Sequence, residues 1–145
     1  MEKRTSQGRD QEAVKAYVLD ASALLALVQK TAGAQKVGDL FKSAVRGHVE
    51  IFMSTINYGE VYGIILREYG LEQAAATMSA LQPLPLRLMD ATRERAFRAA
   101  DVKSKYKLYY VDSFAAALAI ECQAKLVTSD SDFRRLGHSF PVAWL

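Results

Sequence analysis

The chain has 145 residues, a mass of 16.1 kDa and a net charge of +3 from 19 basic and 16 acidic residues. Half of the residues are hydrophobic and 24% are charged, which suits a single globular core and excludes a wholly disordered chain. The longest uncharged apolar stretches, residues 21–28 and 113–120, run eight residues against the ~20 a membrane span needs.

The opening MEKRTSQGRDQEAVK is polar and aperiodic, with no apolar region of the kind a secretory signal carries. It reads as an arm over residues 1–15, flexible or starting a short helix, ahead of one domain over 16–145. Tyr17-Val18-Leu19 is a short buried strand ending at Asp20. ASALLALVQ then has helical spacing, with Leu24, Leu27 and Val28 on one side. Residues 34–47 give a second amphipathic helix, and Ile51-Phe52-Met53 a second strand. Ser54 or Thr55 caps a helix to about Tyr69, which Gly70 ends. Residues 71–81 are helical, Pro83 and Pro85 bracket a break, and residues 86–89 form a third strand. A charged helix follows from Asp90 to about Lys105, then a tyrosine-rich connection over 106–111 and an alanine-rich helix from Asp112 to about Gln123. Leu126-Val127-Thr128 is a fourth strand, residues 130–136 a short helix, and residues 141–145 a final edge strand. Strands alternating with helices predict a three-layer α/β/α sandwich around a central, mainly parallel sheet of four to five short strands. Ligands bind such sheets beyond the carboxyl ends of the strands, where Asp20, Ser54 and Asp130 are expected.

Asp20, Asp112 and Asp130 each open a predicted helix, so each alone serves equally as an N-terminal cap. Glu60 is different. It sits mid-helix with Ile56, Gly63 and Ile64 as its i−4, i+3 and i+4 neighbours, an apolar face on which a lone carboxylate is costly unless solvated. Gly59 and Gly63, one turn apart, suggest close backbone approach or a packing role. Four carboxylates gathered at one sheet edge cannot all stay ionised without compensation. A hard divalent cation, Mg²⁺ or Mn²⁺, relieves that repulsion through all-oxygen ligation. Asp132 either adds a fifth carboxylate or is a solvated first-turn residue.

The series VLDASALLAL, STINYGEVYG and YYVDSFAAALAIECQAKLVTSDSDF resembles the PIN-domain nucleases, and most the toxins of the Vap toxin–antitoxin systems. The match runs from about Tyr17 to the C-terminus in the family's order, with acidic spacings of 40, 52 and 18 residues. The resemblance implies a Mg²⁺- or Mn²⁺-dependent endoribonuclease in which Asp20, Glu60, Asp112 and Asp130 hold the metal and orient the attacking water. It implies small hydroxyl side chains, Ser22 and Thr128, beside the metal-site aspartates. It also implies a homodimer held inactive by a small antitoxin. The arm and the tyrosine-rich segment are not part of the motif.

From Tyr17 on there are 15 basic and 13 acidic residues. Setting the four proposed ligands aside leaves a surface suited to a polyanion. Arg93, Arg95, Arg98, Lys103, Lys105 and Lys107 cluster ahead of Tyr109 and Tyr110, as a single-stranded RNA surface would, though a solvated helix face and a tyrosine-lined core or dimer seam have the same composition. No nucleotide-binding glycine loop or nucleophile elbow occurs, and His48, His138 and Cys122 stand apart, which argues against zinc. One cysteine fits a reducing cytoplasm and permits no internal disulfide. The alternatives are a non-catalytic RNA- or protein-binding module of the same fold, and a PIN ribonuclease of RNA processing.

Overall fold

The computed structural model describes residues 14–145. Most of the expected arm therefore lies outside the described residues. Lys15, placed in the arm from sequence, opens the first strand, β1 (Lys15–Leu19). The other strands are β2 (Val49–Ser54), β3 (Arg87–Met89), β4 (Lys125–Thr128) and β5 (Val142–Trp144). They form one sheet in the order β3-β2-β1-β4-β5, with every pairing parallel. The helices are α1 (Ala21–Gln29), α2 (Ala34–Val45), α3 (Thr55–Tyr69), α4 (Leu71–Leu81), α5 (Arg93–Tyr106) and α6 (Tyr110–Glu121), with a 3₁₀ helix over Ser131–Leu136.

The three layers follow from the period of two along each strand. Val18, Phe52 and Leu126 face one core, built with Ala99, Phe114, Ala115, Leu118 and Phe133 from α5, α6 and the 3₁₀ helix. Leu19, Ile51, Met53 and Val127 face the other, built with Leu24, Val37, Phe41, Val61 and Ile65 from α1, α2 and α3. A sheet buried on both faces needs apolar residues at consecutive positions, which is why the strands read as short unbroken apolar runs.

Several boundaries differ from the sequence reading. Thr92 caps α5 by accepting from Arg95 N at 3.3 Å, so the helix starts three residues after Asp90. The helix expected from Asp112 starts at Tyr110, which shortens the tyrosine-rich connection and puts Asp112 inside the first turn. Ser54 is the α3 cap, accepting from Ile56 N at 3.1 Å, and Gly70 ends that helix at φ +88°. Both matched expectation. The close approach suggested at Gly59 and Gly63 is absent: a Cβ at either would meet nothing within 4 Å.

The chain visits β1, β2 and β3 on one side before returning to β4 and β5 on the other. The switch between these directions lies between β1 and β4, whose carboxyl ends point to a shared crevice. α5 and α6 pack closely and are pinned at the far end of α6 by Glu121. Its carboxylate takes Arg95 at 3.0 Å and Arg98 at 3.1 Å, and Arg95 also donates to the Asp90 carbonyl at 2.9 Å. Arg95 holds the Glu121 carboxyl below the ordinary glutamate value. Glu121→Ala is expected to cost roughly 1 kcal/mol, chiefly by taking the ion pair from the partly buried Arg95, since Arg98 is 56% exposed. Arg93→Ala, at an exposed site without an ion pair among the described residues, is expected to change stability by less than about 0.5 kcal/mol. Chemical denaturation of both variants checks the difference.

Candidate metal and catalytic site

The site begins with Asp20, the first residue past β1. It caps α1, with Oδ1 accepting from Ala23 N at 2.9 Å and from the Ser22 hydroxyl at 2.7 Å. Oδ2 accepts from the Thr128 hydroxyl at 2.5 Å. Thr128 ends β4 and its Oγ1 in turn accepts from Asp130 N at 2.9 Å. Ser22 Oγ accepts from Ser129 N at 3.0 Å. The carboxylate is therefore bound to both sides of the β1–β4 crevice through two hydroxyl groups. It is 4% exposed, and burial raises its pKa from 3.8 to about 6 despite these hydrogen bonds.

Asp130 follows β4 and caps the 3₁₀ helix, with Oδ1 accepting from Asp132 N at 2.9 Å. Asp112 enters from the first turn of α6. Among the described residues, Asp112, Asp130 and Asp132 offer carboxylate oxygens that all lie within 4.8 Å of one another. Burial and then the charges of Asp130, Glu60, Asp20 and Asp132 push Asp112 up from 3.8 to about 7. The first-turn position on α6 ordinarily favours a carboxylate, so the surroundings override the helix terminus here. Three hard oxygen donors crowded to mutual repulsion are the donor chemistry of a Mg²⁺ or Mn²⁺ site, and the residues present fit such an ion.

Five sequence-predicted carboxylates thus meet at one crevice, in two roles. Asp112, Asp130 and Asp132 form the close cluster. Asp20 lies outside it with both oxygens hydrogen-bonded, near enough for its charge to raise Asp112. Glu60 approaches from α3; burial raises its pKa, an Asn57 hydrogen bond opposes the rise, and Asp130 adds to it.

Asn57 was missed from sequence. Its side-chain nitrogen donates to the Val111 carbonyl at 3.0 Å, one residue before Asp112, and Asn57 is 1% exposed. It ties the helix that carries Glu60 to the start of the helix that carries Asp112. Its Oδ1 is buried without a hydrogen-bond partner. The available signal was an amide three residues before Glu60 in a helix whose inner face is otherwise apolar.

The basic segment is divided. Arg95 and Arg98 are spent on Glu121, away from the carboxylates, and Lys105 lies over the Tyr106 ring at 5.1 Å. Arg93, Lys103 and Lys107 are exposed and form no ion pair among the described residues. Cys122 is partly buried, and burial pushes its thiol up, which disfavours the thiolate. No helix among the described residues is long and apolar enough to cross a membrane.

The fold is similar to those of known toxin–antitoxin proteins. A chain of VapBC2 from Rickettsia felis, solved bound to a promoter DNA fragment, superposes with a TM-score of 0.71 at 16% identity, covering 88% of this chain and 97% of that one. VapC20 of Mycobacterium tuberculosis, a toxin that cleaves the sarcin–ricin loop, gives 0.66 at 17% identity over 83% and 95%. A toxin–antitoxin complex from Klebsiella pneumoniae gives 0.60 at 23% identity over 81% and 89%. No curated protein matches the sequence. The PIN domain family model matches residues 17–139, which span every carboxylate of the crevice, and the chain belongs to the PIN-domain family.

Proposed function

We propose that this protein is a divalent-cation-dependent endoribonuclease that hydrolyses RNA phosphodiester bonds. We further propose that it is the toxin of a type II toxin–antitoxin pair, acting as a homodimer restrained by a small antitoxin protein. The observation that carries the nuclease reading is the Asp112, Asp130 and Asp132 cluster at the β1–β4 switch point, backed by Asp20 and Glu60. The fold likeness to VapBC proteins of Rickettsia felis and Salmonella typhimurium supports the toxin reading.

In this reading Asp112, Asp130 and Asp132 would hold the cation, with the charges of Asp20 and Glu60 close behind them. Bound there, Mg²⁺ or Mn²⁺ acts as a Lewis acid that acidifies water and stabilises charge developing on a phosphate. Asp20 fixes the crevice walls through Ser22 and Thr128, and Thr128 in turn holds the Asp130 backbone N–H. Hydrolysis joins a water oxygen to phosphorus as a bridging P–O bond breaks, and the water's proton needs an acceptor. Glu60, outside the close cluster and with its pKa raised by burial, is the group suited to take that proton.

Incubation with total cellular RNA in Mg²⁺, in Mn²⁺ and in EDTA tests the reading. Discrete fragments in the metal lanes only are expected. Cleavage in EDTA, or none in any lane from folded protein free of a partner, would replace the proposal with a metal-independent enzyme or a binding module.

Asp112→Asn is expected to lower cleavage by at least about a hundredfold, since it removes a negative donor where several kcal/mol of charge stabilisation are at stake. The same substitution is expected to stabilise the metal-free protein at pH 7.5, by about 1 kcal/mol or a few degrees in Tm, because it removes a buried charge and the like-charge repulsion around it. A lower Tm in the variant would contradict that account.

Asp20 and Asp112 also set a pH dependence. Their folded values of about 6 and about 7 lie above the ordinary 3.8. Their contribution to stability is fully present below about pH 4 and is lost as pH rises through 6 and 7. Metal-free protein is therefore expected to gain Tm between pH 7.5 and 5.5. Saturating Mn²⁺, which binds the ionised carboxylates, is expected to flatten or reverse that trend. Thermal scans across this range with and without Mn²⁺ provide the check.

A further inference from the structure

Beside the acidic crevice lies a groove of about 590 Å³ lined by Ala100, Lys103, Ser104, Lys107, Tyr109 and Arg135, among others. Its lining holds three cations and no carboxylate. None of the three cations forms an ion pair among the described residues. Arg135 closes one wall by donating through Nη1 to the Lys107 carbonyl at 2.9 Å, and among the described residues that is its one hydrogen bond. Four of its five N–H donors remain for a ligand. Tyr109 is 71% exposed, a large aromatic ring left in water at the rim of a cationic surface.

The groove and the carboxylates share their supports. Tyr109 stands three residues before Asp112, at the start of α6. Arg135 stands three residues after Asp132 in the 3₁₀ helix. Each wall thus runs into the acidic cluster within about one helical turn. A ligand following the walls passes from positive charge with an aromatic face to a cluster of carboxylates suited to a cation. A phosphodiester strand with an unstacked base matches that sequence of environments.

We propose that this groove binds the single-stranded RNA next to the scissile phosphate, with Lys103, Lys107 and Arg135 on backbone phosphates and Tyr109 stacking a base. Arg135 is the added residue, and it replaces Arg95 and Arg98, whose charges are spent on Glu121. The assignment rests on the nuclease reading and sharpens it: the strand enters between α5 and the 3₁₀ helix rather than along the whole basic face of α5.

The test compares two variants of equal charge. Lys103→Gln/Lys107→Gln empties the groove of two cations. Arg93→Gln/Lys105→Gln removes two charges from the same helix outside the groove lining. Both are made in an Asp112→Asn background so that the RNA survives, and binding of a fluorescent single-stranded oligouridine is followed by anisotropy over a range of salt. The groove pair is expected to weaken binding about tenfold or more and to shrink the salt slope by about 1.4, the value for two lost phosphate contacts. The control pair is expected to change affinity less than about twofold. Tyr109→Leu is expected to weaken binding severalfold at an unchanged salt slope, since stacking releases no counterions. Equal losses from both pairs, or no loss from the groove pair, would overturn the groove. If the wild type still makes metal-dependent cuts in RNA, that result removes the groove alone. If the parent protein neither cuts nor binds RNA, the nuclease reading falls and takes the groove with it.

Discussion

A buried carboxylate, Asp20, bridges the two central strands, and the geometry of the site depends on that bridge. Asp20 leaves β1, caps α1 and receives the hydroxyl of Thr128 at the end of β4. The hydrogens of Ser22 and Thr128 are both directed at this one side chain. Their oxygens then accept from Ser129 N and Asp130 N, so the turn after β4 is fastened to the turn after β1. Holding an ionised aspartate there is expensive: the displacement of its pKa to about 6 corresponds to about 3 kcal/mol at neutral pH. A neutral side chain would cap α1 with less penalty. The cost is understandable if the same charge belongs to a larger acidic site.

That site works against the fold that carries it. Asp112, Asp130 and Asp132 are crowded together, and burial first, then the neighbouring carboxylate charges, raises the pKa of Asp112. The scaffold absorbs this crowding with rigid attachments. Asp130 is fixed by the 3₁₀ cap, Asp112 by a helix clamped at its far end through Glu121, and Glu60 by a helix tied to Val111 through Asn57. Such strain is a common feature of functional sites, where stability is given up for a ligand that is absent in the unliganded protein.

Charge is sorted along α5 and its C-terminal cap, Lys107. Arg95 and Arg98 turn toward α6 and serve the clamp, whereas Lys103 and Lys107 border the groove that Arg135 closes. One basic segment thus performs two tasks, one structural and one facing solvent. Composition cannot separate them, because an arginine in an ion pair and a free one contribute the same formal charge.

Much of the architecture was legible in the chain itself. Short apolar strands such as YVL and LVT, alternating with amphipathic helices, dictate a parallel sheet buried on both faces, because only such a sheet hides consecutive apolar residues. Asp20 and Asp130, each just past such a run, had to lie at the carboxyl edge of that sheet. Element starts were less legible. Thr92 and Tyr109, not Asp90 and Asp112, precede the helices, since caps are chosen by local backbone geometry among several competent residues. Tertiary structure alone decided which carboxylates gather, because the packing of α6 brings Asp112 beside Asp130 and Asp132, a meeting across 18 residues that no local pattern records. It likewise decided that Asn57 is a tether, that Arg135 belongs with Lys107, and that Arg95 and Arg98 are committed to Glu121. Periodicity reports which face of an element is buried; the partner on that face is set by how separate elements pack, and that information is non-local.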